Sequence, residues 1–350
     1  VGFFQMTMKN GMRCSAAAAY LKPIRSRKNL HIITHAHTDK IEFDGMRATA
    51  VMVRVRGKSQ RIKVGREIIL SAGSIGSPQI LMLSGIGDQN DLGKHGIEPT
   101  HHLPGVGRNL QDHLQARPVF KCNASTINTE TKNPLQLASI ALEYAFKRSG
   151  PMAMAASLGT AFLKTHDALE TPDIQFHLQP FSADSVAEGS HKFSAFTASV
   201  LQLRPESAGH LELVSANADD YPAIHPNYLA TKTDCDTIVA GIKIARAVCQ
   251  TEPVKSLITE EYAPGAAVAD DDDAILDWAR NTATTIYHPT GTCKMGQDKM
   301  AVVDERLRVY GVQNLRVADA SIMPVITSGN TNAPTIMIGE KLSDLILEAV

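Results

Sequence analysis

"AGSIGSPQILMLSGIG", from Ala72 to Gly87, is the stretch whose reading decides the fold. The run before it, "REIILS" (Arg66 to Ser71), is short and apolar, as a buried strand should be. Small residues follow, then an apolar helical segment, then a glycine stop. The order is strand, tight turn, helix. Small side chains after a buried strand let the backbone there approach a neighbouring group closely.

Working outward, residues 28–34 and 48–55 read as strands, with a turn near "FDGMR" (Phe43 to Arg47). Between about 115 and 285 the text is richer in strand composition, as in "DIQFHLQPF" (Asp173 to Phe181), "FTASVLQLRP" (Phe196 to Pro205) and "GHLELVSA" (Gly209 to Ala216). Helical stretches intervene, notably residues 232–250. The acidic run Asp270–Asp273 precedes "AILDWARN" and reads as helix-capping text, since carboxylates suit the positive end of a helix dipole. Residues 307–318 return to strand-like text, and a closing helix is expected from about Pro334 to Ala349. The expectation is an α/β chain, α+β overall, in two domains. One is assembled from both ends of the chain, residues 24–114 and 286–350. The other, residues 1–23 and 115–285, has a mainly antiparallel sheet flanked by helices.

Composition narrows the function classes. The chain has 350 residues, 43% hydrophobic and 20% charged, with a net charge of −1. That is globular rather than disordered composition, and without a basic block no nucleic-acid partner is expected. No apolar run is long enough to span a bilayer. Five cysteines, an odd number without a Cys-x-x-Cys pair, favour a reducing compartment such as the cytoplasm over a disulfide framework. The opening "VGFFQMTMKNG" reads as mid-pattern text, so a segment of a longer protein is expected and localisation stays unknown.

Four stretches resemble, in order, the glucose–methanol–choline (GMC) flavin oxidoreductases, in their choline-dehydrogenase-like and alcohol-dehydrogenase branch. These are the Ala72–Gly87 stretch, "PGVGRNLQDH" (Pro104 to His113), "YHPTGTCKMG" (Tyr287 to Gly296) and "LRVADASIMPVITSGNTNAPTIMIGEKLSDLI" (Leu315 to Ile346). The resemblance implies that residues 24–114 and 286–350 form an incomplete Rossmann-like FAD/NAD(P)-binding domain and residues 1–23 and 115–285 a substrate-binding domain, with FAD as cofactor and oxidation of the CH–OH group of a primary alcohol, choline-like or another, to the aldehyde. The hydride goes to flavin N5, and the electron acceptor (a quinone, a dye or oxygen) stays open. It implies His288 as the proton acceptor and Asn330 as its partner, with Asn332 the rival for that role and otherwise nearer the flavin. Thr38, Ala72, Gly73, Asp319, Ala320, Asn332 and Ala333 are the implied cofactor-binding positions, with Asp319 facing sugar hydroxyls or ordered water. Pro334 suits a helix first turn, so a dipole end should face the negative charge that a reduced flavin carries near N1 and O2. The family's first Gly-x-Gly-x-x-Gly element has no match here, so weak FAD binding, or none, is expected of this chain alone. "GVGRNL" (Gly105 to Leu110) is no substitute, because Pro104 rather than a strand precedes it.

Two other readings compete. One is a truncated paralogue without FAD, acting as a non-catalytic binding module. The other starts from "ITHAHTDK" (Ile33 to Lys40), where His35, His37 and Asp39 alternate in a pattern similar to the zinc motif of metallo-β-lactamase-type hydrolases. Lys40 stands where that motif needs its second-site histidine, and hairpin text follows. No metal is therefore expected, and in the GMC resemblance the backbone at Thr38 is the part that meets the cofactor.

Overall fold

Along the strand Ala195–Gln202, Ala198 and Val200 point to one side and Thr197 and Ser199 to the other. This alternation organises the first of two units in the computed structural model, which describes residues 1–184 and 189–348. That unit comprises Val1–Leu30, Leu114–Arg204 and Thr231–Ile286. Its antiparallel sheet runs in the spatial order Gly2–Phe3, Gly159–Leu163, Ile174–Gln179, Ala195–Gln202, Leu114–Ala116, Thr284–Thr285. Val119–Cys122 joins from the side, between Ala195–Gln202 and Ile258–Ala263. The helix Lys232–Cys249 lies on the Val200 side: a Cβ added at Gly241 would stand 2.7 Å from the Val200 side chain. Ile238, Ile242 and Ala245 of that helix are buried. Asp271 caps the helix Asp272–Thr282 by accepting the Ala274 N–H, the role read for the acidic run.

The second unit comprises His31–His113, Pro205–Ala230 and Tyr287–Val350. A three-stranded meander, Ala36–Asp44, Arg47–Val55 and Lys58–Lys63, leads to the strand Ile68–Leu70, which buries Ile68 and Leu70 and leaves Ile69 exposed. That strand pairs in parallel with Leu315–Val317, far along the chain, with Leu315 opposite Ile68. The helix Gly73–Leu83 follows, and the helix Asn332–Leu347 closes the unit. Leu70, Leu81, Ile86, Val302, Val317, Ile338 and Leu342 share its core.

Three readings need correction. Residues 28–34 form no strand; the Arg56 N–H reaches the His35 carbonyl at 2.9 Å, and ladder pairing begins only at Ala36 opposite Val55. Only Leu315–Val317 of residues 307–318 is a strand, because that is the part that meets Ile68–Leu70. Residues 205–230, read with the substrate segment, pack in the second unit. There Gly209 and Leu110 exchange backbone hydrogen bonds of 2.8 and 2.9 Å, and the Leu211 N–H donates to Gly107 at 2.7 Å. The closing helix starts two residues before Pro334, and Ala349 lies outside the described residues.

Candidate active site

The site grows from a consequence of Pro78. This proline sits inside the helix Gly73–Leu83 and has no N–H for the carbonyl of Ser74, four residues earlier. The hydroxyl of Thr292 takes that carbonyl instead, at 2.7 Å, and the Ser74 hydroxyl donates to the Pro289 carbonyl at 2.6 Å. The loop that carries His288 is thus pinned to the helix start. On its other side, Thr290 and Gln111 exchange backbone hydrogen bonds of 2.9 and 3.1 Å. Cys293 and Met295 donate their N–H groups to Ser321 and Ile322 at 2.8 and 2.7 Å. The last three stretches quoted for the resemblance, distant in sequence, therefore lie side by side.

Within this frame His288 is buried and His113 fully so, at 8% and 0% exposure. Their Nδ1 atoms are 2.9 Å apart. The Nε2 atom of His288 faces the Asn330 side-chain amide at 3.3 Å. With the amide donating, Nε2 is the lone-pair nitrogen of a neutral ring, and the Nδ1 hydrogen points to His113. Asp112 holds the main chain here: it accepts the His288 N–H at 2.9 Å with one oxygen and the Tyr228 hydroxyl with the other. Gln111 donates to the Pro324 carbonyl at 3.2 Å and accepts the Ile326 N–H at 3.2 Å, which anchors the segment leading to Asn330. Tyr287 adopts a left-handed backbone, φ 64°, at the turn that presents His288.

Among the implied cofactor positions, Gly73 and Asp319 are joined by a hydrogen bond of 2.9 Å. Gly73 has φ 79° and open space where a Cβ would be, and Ala72 before it is exposed. Asn332 and Ala333 are exposed at the start of the closing helix, ahead of its first backbone bond, Thr335 to Thr331 at 3.0 Å. Donors at a helix start suit an anionic ring edge. Thr38 lies in the meander opposite Val53. Asp319 is buried, and its carboxylate accepts Gly73 N–H at 2.9 Å, the Ser77 hydroxyl at 2.6 Å and Ser321 N–H at 2.8 Å. It caps both the helix Gly73–Leu83 and the short turn Ala320–Ile322, so its main work is to hold Ala72–Gly73 and Ala320 in place.

Sequence reasoning missed His113, Asp112 and Tyr228 as members of the site. "QDH" was legible as part of a loop, but only the fold shows that it meets His288. His35, His37 and Asp39 do not converge: His37 donates to the Ala218 carbonyl at 3.0 Å, Asp39 pairs with Arg54 at 2.8 Å, and His35 is an exposed turn residue.

Comparison with known proteins decides the family. Residues 1–115 and 205–339 match the N- and C-terminal portions of GMC oxidoreductase. This chain belongs to the GMC oxidoreductase family. It is 40% identical over 353 residues to an alcohol dehydrogenase [acceptor] of Pseudomonas putida, covering 100% of this chain and 64% of the relative. It is 42% identical to the human mitochondrial choline dehydrogenase, covering 99% and 58%. Among solved structures, pyridoxine 4-oxidase from Mesorbium loti superposes with a TM-score of 0.83 at 27% identity, covering 96% of this chain and 62% of the other. The chain thus spans about three-fifths of the length of the GMC proteins it matches. The cofactor class of GMC oxidoreductases is FAD, and the mixed α/β architecture with mainly antiparallel sheets agrees with that reading. No helix among the described residues is long and apolar enough to cross a membrane.

Proposed function

We propose that this chain carries the catalytic portion of an FAD-dependent alcohol dehydrogenase or oxidase that converts a primary alcohol to its aldehyde. The observation that carries the proposal is the His288 ring, with Nδ1 held by His113 and Nε2 turned to Asn330. Flavin, when bound, supplies the hydride acceptor at N5. Nε2 of neutral His288 accepts the hydroxyl proton, and the Asn330 amide donates to the alcohol oxygen, which gains negative charge as its proton leaves. Ala72, Gly73, Ala320, Asn332, Ala333 and the backbone at Thr38 would hold the flavin, with Asp319 fixing the first three. The relatives' names support a small alcohol, choline among the candidates, and a dehydrogenase.

Anaerobic mixing of the FAD-loaded protein with choline and with simple primary alcohols, followed by flavin absorbance, tests this. Bleaching by one of them, slowed in His288→Ala, is the expected result. Bound flavin that no primary alcohol bleaches would sink the proposed reaction. Flavin absorbance and dye reduction by a protein that also carries the Gly-x-Gly-x-x-Gly element separate this reading from the non-catalytic module.

A further inference from the structure

The hairpin formed by His210–Glu212 and Ala223–His225 carries a cluster that the proposed reaction does not use. His210 and His225 are direct cross-strand partners, and Glu212 lies two residues from His210, so all three side chains leave the same face. Leu211 and Leu213 are buried on the opposite face, which fixes the register. The two imidazoles stack, with centroids 4.7 Å apart and planes 23° from parallel. One ligand atom from each residue lies within 4.8 Å of the others. We propose that His210, Glu212 and His225 form a binding site for a divalent transition metal, zinc in the first instance.

The donor set is two imidazole nitrogens and one carboxylate, borderline ligands that suit zinc better than calcium or magnesium. In a tetrahedral site with bonds of ~2.05 Å, ligand atoms lie ~3.3 Å apart. His210 Nε2 and Glu212 Oε1 already stand at 3.2 Å. His225 is exposed and closes the remaining distance by side-chain rotation. Arg108 does not block the carboxylate: it is 3.9 Å from Glu212, while its close partner is Asp91 at 2.6 Å. Three protein ligands leave a fourth position for water. A metal there would tie the two hairpin strands together. Their backbone joins Leu110 on one side and leads to Tyr228 and its Asp112 contact on the other, so occupancy stabilises the support of His288.

The test is a titration of zinc sulfate into the full, chelator-stripped chain, read by calorimetry and by thermal melting. One equivalent should bind with a Kd of about 10 μM or tighter and raise the melting temperature. His210→Gln and His225→Gln should each weaken binding by about 10- to 100-fold and remove the melting shift. His225 is exposed, so His225→Gln decides the matter should His210→Gln fail to fold. Absence of saturable binding below about 100 μM, or binding that His225→Gln leaves unchanged, overturns the proposal.

Discussion

His113 and His288 meet nitrogen to nitrogen, Nδ1 to Nδ1 at 2.9 Å, with their rings edge to face. Each ring thereby fixes which nitrogen of the other carries hydrogen, and His288 keeps Nε2 for the substrate side. His113→Leu should therefore lower kcat by about 10- to 100-fold in the flavin-loaded protein while KM changes little. Steady-state kinetics decide this. A rate equal to wild type would remove His113 from the site.

Removal of the base itself should cost more. His288→Ala should reduce kcat by about 10² to 10⁴, within the span typical of general base catalysis. Asn330→Ala should cost about 10² through loss of one donor to the alcohol oxygen. Asn332→Ala should cost less, because the Asn330 amide faces Nε2 of His288 at 3.3 Å. A larger loss at Asn332 would reverse the assignment.

Asp112 joins the His288 backbone to the Tyr228 hydroxyl. Tyr228→Phe removes a hydrogen bond to a buried carboxylate and should destabilise the second unit by about 1.5 to 3 kcal/mol. Denaturant unfolding, followed by hydrogen exchange at Leu110 and Gly209, would show it.

The ion pair between Arg316 and Glu67, 2.7 Å, lies in the same unit beside the parallel strands, with Arg316 also donating to the Arg306 carbonyl at 2.7 Å. Arg316 is buried. Glu67→Gln leaves its charge underground and should cost about 3 kcal/mol or more, whereas Arg316→Met should cost less. Unfolding midpoints of the two variants test the order.

Burial drives two thiols upward: Cys249 to about 12, and Cys293 well above the ordinary thiol range, where nearby Asp319 adds to the effect. At pH 8 both remain thiols, so a thiol reagent should label Cys14, Cys122 and Cys235 in the folded protein and spare these two. Because their folded values are raised, stability is whole below the ordinary thiol value. It falls as pH rises above about 9, by up to about 1.4 kcal/mol per pH unit for each thiol. Unfolding free energies at pH 8 and pH 10 measure that slope.

The sequence by itself determined the local pieces. The turn at Ala72–Gly73, the acid-capped helix after Asp271 and the alternating strands near 174 and 195 follow from side-chain period and backbone preference, which act over a few residues. It also singled out His288 and Asn330, because whole stretches of text matched a family. The strand expected at 28–34 failed, since an apolar run becomes a strand only where a partner edge awaits it. Residues 205–230 changed unit for the same reason: Gly209 pairs with Leu110, and nothing local announces that. His113, Asp112 and Tyr228 entered the site only through tertiary structure. Their contacts with His288 and with one another span more than 100 residues of chain, and a hydrogen bond over that separation is set by how the elements pack. The Ser74 carbonyl freed by Pro78 shows both levels at once. The sequence dictates that a backbone acceptor is left over, and the fold alone decides that Thr292 fills it.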